Sequence, residues 1–363
     1  MLCDLARILF CLLDSSVTRV SRLMTKNFRK ILQITKLFLA LHPRDPGTLP
    51  IRTVQHAGPF FLYIDMIYTK ETLPLATQID TLKQRGLIFN NEADAESKLG
   101  SVGYFRLAQY WRVFESDKNN HIFKPNSTFE KVISLYRFDN ELKILIFSAL
   151  QTIEVAMRAK VIYHFSMKHG AFWFMDENLA DKKTSFDDNM ASLRAEVKRS
   201  YEDFIKHHYE KYDSPDMPPA WKTLEVASFG TLSKLFRNFN DPEVKKMVAD
   251  DFGISGYKFL RSWMKCLTVL RNSCAHHARI WNQKFPFAPK LPSKRMPSAW
   301  ITQQPTATKS LYPNLCCMLY WLNSIDKSNS FSSDFKNLLT KYPNVDPAAM
   351  GFPRNWKEEP LWK

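Results

Sequence analysis

The hydrophobic residues along most of this chain have the three-and-four spacing of amphipathic helices. Between residues 260 and 281 they predict one buried helical face, made of Leu260, Trp263, Leu267, Leu270, Cys274, Ala278 and Trp281. On such a helix, at about 100° per residue, positions separated by four and seven lie above one another. Asn272, His276 and Arg279 are therefore expected to form a polar trio on the side opposite the buried face.

Arg271 comes just before this trio and points in a different direction. By helical count it lies about 140° around the axis from His276, nearer the edge of the apolar stripe. One helix thus holds the arginine and the histidine apart, whereas a second copy facing the first would bring them together. The pattern predicts a site shared between two chains.

The same spacing predicts helices over most of the remaining chain. A capping box at Ser127–Glu130 opens a long tract, Thr128–His169, which Gly170 closes. Within that tract, Asp139-Asn140-Glu141 is a candidate break. Further helices are expected at Leu75–Arg85, at Glu92–Gly100, at Ser185–Tyr212, after Asp241-Pro242, and at Leu311–Ile325. With only 10 glycines and no series of short alternating strands, we expect an all-α fold.

Two groups of residues each allow two interpretations. Val102–Phe114 places Arg106 and Arg112 among aromatic residues, which suits the stacking and clamping of single-stranded RNA. A repeat of apolar residues every third position in that segment favours core packing for the rings instead. Glu154 and Arg158 are four residues apart, so they are expected to form an ion pair on a helix surface, with support of a catalytic site as the alternative.

The charge balance narrows the choice of partner. Lys and Arg number 51 against 36 Asp and Glu, a formal net charge of +15, which favours a polyanion such as nucleic acid. A solvated basic surface would have the same composition. The six cysteines form no C-x-x-C pair, so buried free thiols in a reducing cytoplasm are expected, with no metal site and no cofactor.

The chain divides by composition into three parts. Residues 1–65 contain apolar patches that are too short or too charged for a membrane helix and lack the features of a signal peptide. We expect them to be an N-terminal extension, and Met66 is a candidate for the native start. Residues 66–345 form the helical domain, and residues 346–363 are expected to be an irregular C-terminal tail.

An arginine, an asparagine and a histidine are a suitable set for the cleavage of a phosphodiester. When a 2′-hydroxyl of RNA attacks the adjacent phosphorus, the reaction needs a base, an acid and donors for the charged intermediate. His276 can be base or acid, Arg271 can hold the non-bridging oxygens, and Asn272 can orient the imidazole or contact phosphate. Because one histidine fills only one proton-transfer role, a dimer with two His276 in one cleft would be more complete.

The segment RNSCAHHARIWN, Arg271–Asn282, resembles the signature of the Abi family of bacterial abortive-infection proteins of the AbiD and AbiF type. In that family the segment is the R-x4-6-H motif of the HEPN superfamily of ribonucleases. Further blocks resemble the family in the same order, and coverage runs from about Met66 to about Ile325. These blocks are Leu82–Leu87, Gly103–Leu107, Arg137–Leu142, Ile153–Arg158 and Pro219–Ser233.

The resemblance implies an all-α, HEPN-type helical bundle with additional helices, and a metal-independent RNA endonuclease that yields a 2′,3′-cyclic phosphate. Arg271 and His276 would be catalytic and Asn272 supporting. His277, Arg279, Glu154, Arg158 and Arg106 are further candidates for RNA binding or support. The resemblance also implies a homodimer, a role in phage defence, and a toxin restrained by an antitoxin that is RNA or protein.

Two other functions compete with this one. A non-catalytic RNA-binding or regulatory protein of the same fold would have the same charge. A membrane-acting toxin would depend on the apolar patches of residues 1–41, although the leading expectation is a cytoplasmic protein with no membrane partner.

Overall fold

A computed structural model describes residues 71–293 and 296–363, and the described chain has an all-α fold. Its α-helices are α1 Leu75–Gln84, α2 Glu92–Val102, α3 Tyr104–Trp111, α4 Phe129–His169, α5 Lys183–Lys198, α6 Asp203–Lys211, α7 Ala220–Thr223, α8 Phe229–Asn238, α9 Pro242–Asp251, α10 Tyr257–Ala275, α11 Leu311–Ile325 and α12 Phe331–Lys341. A small antiparallel hairpin, β1 Glu115–Asp117 and β2 Ile122–Phe123, pairs Glu115 with Phe123 and Asp117 with Ile122. The expectations for residues 1–65, including the apolar patches and the start at Met66, concern residues outside those described.

The long helix α4 is the centre of the fold. It packs against α3, α9, α10, α11 and α12, and its buried side chains lie on more than one face, as expected of a helix enclosed by others. The predicted tract is confirmed, and it begins one residue later than the capping box indicated: the Thr128 hydroxyl, rather than that of Ser127, caps the helix by accepting from the backbone N–H of Lys131 at 3.3 Å. Gly170, with φ of +81°, ends it.

The predicted break at Asp139-Asn140-Glu141 is wrong. α4 continues through these residues, because the carboxylate of Asp139 is fully buried and hydrogen-bonded to groups outside its own helix. An aspartate that finds partners elsewhere does not compete for the helix's own backbone.

Helix α10, which carries Arg271, packs against α4, α8, α9 and α11. The predicted apolar face is confirmed for Leu260, Trp263, Leu267, Leu270 and Cys274, all of which are buried. The helix ends at Ala275, however, so the expectation that the helical face continues to Trp281 is wrong. His277 has a left-handed φ of +57°, and the chain after it leaves the helix axis.

Other predicted helices agree with the structure to within a residue or two, with one exception. The expected helix Ser185–Tyr212 is two helices, α5 and α6, because the chain is extended at Glu202 (φ −63°, ψ 133°).

The last residues of the chain form three 3-10 turns, at Pro347–Met350, Trp356–Glu358 and Pro360–Trp362. Phe352, Trp356 and Trp362 are buried there and pack against one another.

The expectation of buried free thiols is confirmed for the four cysteines that the structure describes. Cys266, Cys274, Cys316 and Cys317 are free and buried. Burial raises the pKa of the Cys266 thiol to about 11.

Among the helices that the structure describes, none is both long and apolar enough to cross a bilayer.

Candidate functional site

Arg271 lies in the last turn of α10 and is about one-third exposed. Its Nε atom lies 3.5 Å from Oε2 of Glu154, and its guanidinium carbon lies 5.7 Å from the ring centre of Phe147. Its Nη1 donates a long hydrogen bond of 3.4 Å to the side chain of Asn272. The carboxylate and the ring hold one side of the planar guanidinium, and part of it stays open to a ligand.

Glu154 joins two arginines. Its Oε1 accepts a hydrogen bond of 3.1 Å from Nη2 of Arg158, while Oε2 faces Arg271. The i, i+4 ion pair predicted from the sequence is therefore present, although it is not a surface pair: the Glu154 and Arg158 side chains are 14% and 11% exposed. Arg158 also donates to the backbone carbonyl of Ala227 at 3.0 Å. Arg158 is thus fixed within the protein, and through Glu154 it helps to fix Arg271.

Asn272 and His276 are both exposed, as the helical count predicts for the polar side. His276 is the C-cap residue that follows α10, and its backbone N–H donates to the carbonyl of Asn272 at 2.9 Å. The next residue, His277, is also exposed. The structure therefore presents Asn272 and two imidazoles at the surface beside a partly exposed arginine.

Arg279 does not join Asn272 and His276 on a helical face. Because α10 ends at Ala275, Arg279 lies in the following turn, where its Nη1 donates to the carbonyl of Gln109 at 2.8 Å. A second bond runs in the other direction, from α3 to the turn: Nη1 of Arg106 donates to the carbonyl of His277 at 2.6 Å. These two arginines, both candidates for RNA contact, thus fasten the turn 276–279 to α3.

The aromatic segment around α3 divides between the two interpretations. Trp111 is buried at 3% exposure, as expected of a core residue, whereas Phe105 is 81% exposed. The three-residue repeat therefore fails at Phe105, because it does not match the 3.6-residue turn of the helix that forms there.

Asp139 is a residue of this region that the sequence analysis missed. Its Oδ1 accepts from the backbone N–H groups of Ile280 (3.2 Å) and Trp281 (2.7 Å), and its Oδ2 accepts from the hydroxyl of Tyr110 (2.7 Å). Nζ of Lys143 lies 3.1 Å from Oδ2. The sequence did contain an indication of this role. Position 139 falls between Leu135 and Leu142 on the apolar face of a long helix, and a carboxylate buried there needs polar partners.

The environment of Tyr110 agrees with this arrangement. Burial, followed by the charge of Asp139 and its hydrogen bond, raises the pKa of the Tyr110 hydroxyl far above its ordinary value. Tyr110 therefore stays protonated, and its hydroxyl donates a hydrogen bond to the carboxylate of Asp139.

Beside Arg271, α4 exposes a face without charged side chains. We call it the α4 outer stripe, and it consists of Ile144, Phe147, Ser148, Gln151, Thr152, Val155 and Ala159, all exposed. Ile144 is 71%, Phe147 37% and Val155 58% exposed, and apolar side chains exposed along one face of a helix can mark a contact surface. Phe147 connects the stripe to Arg271.

The fold and this site define a class: an all-α protein that presents arginine, asparagine and histidine at the end of a packed helix. Comparison with known families identifies the family. The model of the Abi-like protein family matches residues 97–282, a range that contains Arg106, Asp139, Glu154 and the whole segment from Arg271 to Asn282. The chain belongs to this Abi-like family, and the membership points to abortive infection, a bacterial defence against phages. A search of the curated proteins and a search of the solved structures found no match.

Proposed function

We propose that this protein is a metal-independent RNA endonuclease of HEPN type that acts as a toxin in abortive infection. His276 would exchange protons with the attacking 2′-hydroxyl or the departing 5′-oxygen. Arg271 would bind the non-bridging oxygens of the phosphate, and Asn272 would orient the imidazole or the phosphate. The products would be a 2′,3′-cyclic phosphate and a free 5′-hydroxyl.

The observation that carries this proposal is the way in which Arg271 is held. A guanidinium fixed on one side by Glu154 and Phe147 loses little freedom when a phosphate binds on its open side. Its neighbours Asn272 and His276 are exposed, so an RNA backbone can reach all three. Fixed donors of this kind stabilise developing negative charge more than mobile ones.

A homodimer is the second part of the proposal. Within one chain the site holds only one His276, and the two proton transfers need an acid and a base. The α4 outer stripe adjoins Arg271 through Phe147 and has no charged side chain, so the same surface of a second copy can meet it in a twofold dimer without repulsion. We expect two copies to meet there and to place both His276 side chains in one cleft.

The activity is tested with purified full-length protein, labelled RNA and excess EDTA. We expect cleavage by the wild type, and a loss of at least about 100-fold in Arg271→Ala and in His276→Ala, with RNA binding retained. His207→Ala is the matched control, because His207 is an exposed histidine on α6, and it should cleave normally. Binding without cleavage by the wild type would instead favour a non-catalytic RNA-binding protein.

The biological part needs a separate test. A toxin acting on cytoplasmic RNA should stop growth when it is expressed without its neighbouring genes, and His276→Ala should not. Rescue of growth by an intact neighbouring gene would reveal an antitoxin. If the gene still rescues growth when it carries an early stop codon, the antitoxin is RNA, and if it no longer does, the antitoxin is a protein. Equal growth arrest by the wild type and by His276→Ala would contradict toxicity through this site.

A further inference from the structure

The turn that carries His276 is fastened at its far end by a buried carboxylate. His276 itself lies outside the helix, and two residues of the same turn, Ile280 and Trp281, are buried at 0% and 5% exposure. Burying these side chains takes their backbone N–H groups out of water, so those groups need an acceptor inside the protein. Asp139 supplies it for both, at 3.2 and 2.7 Å.

The carboxylate is itself held in one orientation. Tyr110 and Lys143 occupy Oδ2 at 2.7 and 3.1 Å, which leaves Oδ1 for the two backbone donors. Asp139 is 0% and Lys143 5% exposed, so neither side chain can turn to water. A carboxylate with all its partners in place is a rigid anchor.

The near end of the turn is fastened differently. The backbone N–H groups of His277 and Ala278 donate to the carbonyls of Cys274 and Ser273 at 3.1 and 2.9 Å. Between these bonds and Asp139, the contacts to α3 are made by Arg106 and Arg279. The position of His276 therefore depends on the end of α10 on one side, and on the other side on the contacts with α3 and on Asp139, which belongs to a different helix.

We propose that Asp139 is a positioning residue for His276: it sets the path of the turn 276–282 and so places the imidazole relative to Arg271. This inference rests on the proposed function. It assigns to the buried aspartate of α4 a role in the reaction without contact with RNA. A displacement of about 1 Å at a reacting group can lower a rate about 100-fold, so an anchor of this kind affects catalysis through geometry.

The test compares two double variants that differ only in the side chain at position 139. In both, Lys143→Met removes the charge that would otherwise be buried alone. Asp139→Asn keeps an oxygen for the N–H groups of Ile280 and Trp281, and its amide can donate to the Tyr110 hydroxyl. Asp139→Leu has a similar shape and no acceptor. Both variants lack the buried ion pair, so they differ in the bonds to the turn and in the contact with Tyr110, and the Tyr110 contact is measured separately below.

We expect the asparagine variant to cleave RNA at close to the wild-type rate. The leucine variant should have a kcat about 100-fold lower, with little change in KM. Amide hydrogen exchange at Ile280 and Trp281 should be about tenfold faster in the leucine variant, because a hydrogen bond of ordinary net strength is lost. Tyr110→Phe measures the loss of the Tyr110 partner by itself: it keeps both bonds to the turn, so it should lower kcat much less than the leucine variant does.

Equal kcat values for the asparagine and leucine variants would contradict a positioning role, as would a loss of kcat with unchanged exchange at Ile280 and Trp281. If the wild type does not cleave RNA, the proposed function fails, and the exchange comparison still decides whether Asp139 holds the turn. Where the leucine variant does not give folded protein, Asp139→Ala with Lys143→Met makes the same comparison with a smaller side chain.

Discussion

At the scale of single residues, Glu154 is the side chain on which the arrangement of Arg271 depends. It contacts Arg271 and Arg158 through its two oxygens at 3.5 and 3.1 Å. Arg158 is 9% exposed, and a buried charge is costly without a partner. One carboxylate therefore serves both the stability of the fold and the geometry of the candidate site.

Glu154→Gln tests this double role. Glutamine keeps the shape and can still accept from Arg158, but the charge that faces both arginines is lost. We expect the free energy of unfolding to fall by about 1–3 kcal/mol, and RNA cleavage to fall about tenfold or more. Denaturant unfolding and an RNA cleavage assay measure the two effects.

Glu225→Gln is the matched control, because Oε2 of Glu225 lies 3.9 Å from Nη1 of Arg158 but the Glu225 side chain is 52% exposed. Exposed pairs of this kind contribute little, so stability and cleavage should stay near the wild-type values. Equal losses in both variants would mean that Glu154 has no special part in the site.

At the scale of helices, α9 is attached to α4 at both of its ends. Asp241 caps α9 by accepting from the N–H groups of Glu243 and Val244, both at 3.0 Å. The same carboxylate pairs with Lys168 at 2.9 Å and His169 at 2.8 Å, both on α4. At the other end, Asp251 pairs with Lys160 and His164 of α4 at 2.8 and 2.9 Å.

The Asp241 attachment predicts an acid-sensitive stability. Burial acts to raise the pKa of this carboxyl, but the hydrogen bonds from Lys168, the backbone of Val244 and His169 outweigh it and lower the pKa to about 2. A carboxyl with a depressed folded-state pKa stabilises the protein above its unfolded pKa, about 3.9. That contribution is lost as the pH falls from about 4 toward 2.

Asp241→Asn and Asp241→Ala separate the helix cap from the ion pair. Asparagine caps helices as well as aspartate does, whereas alanine does not. We expect both variants to be less stable than the wild type at pH 7, and the alanine variant to be less stable than the asparagine variant by about 1 kcal/mol. The gap between wild type and asparagine variant should narrow as the pH falls below about 4. A gap that stays constant down to pH 2 would contradict the ion-pair contribution.

The helices also show what sequence alone can and cannot predict. The apolar spacing predicted the buried face of α10 and the extents of α4 and α11, because that spacing is local. The end of α10 at Ala275 could not be predicted in this way, because the N–H groups of Ile280 and Trp281 bond to Asp139, about 140 positions earlier in the chain. Likewise, Arg106 and Arg279 donate to backbone carbonyls about 170 positions away in the chain. A local sequence pattern cannot predict contacts of that separation.

At the scale of the whole molecule, the proposed dimer explains why an uncharged stripe lies beside a basic site. In a twofold dimer a residue near the axis faces its own copy. Val155→Glu would then bring two like charges together, and we expect the protein to shift from dimer to monomer. Met247→Glu is the control: Met247 is 46% exposed and lies on α9, so it is not part of the stripe, and its substitution should leave the mass unchanged. Light scattering gives the mass directly, and a Val155→Glu protein that remains dimeric would exclude the stripe as the interface.

The proposed mechanism requires two His276 side chains in one cleft. The most direct measurement is RNA cleavage, with EDTA present, by a purified dimer that pairs one wild-type chain with one His276→Ala chain, isolated through two different tags. If the two imidazoles share the acid and base roles, this mixed dimer should be at least about 100-fold less active than the wild-type dimer. Half of the wild-type activity would show that each chain holds a complete site, and would contradict the shared cleft.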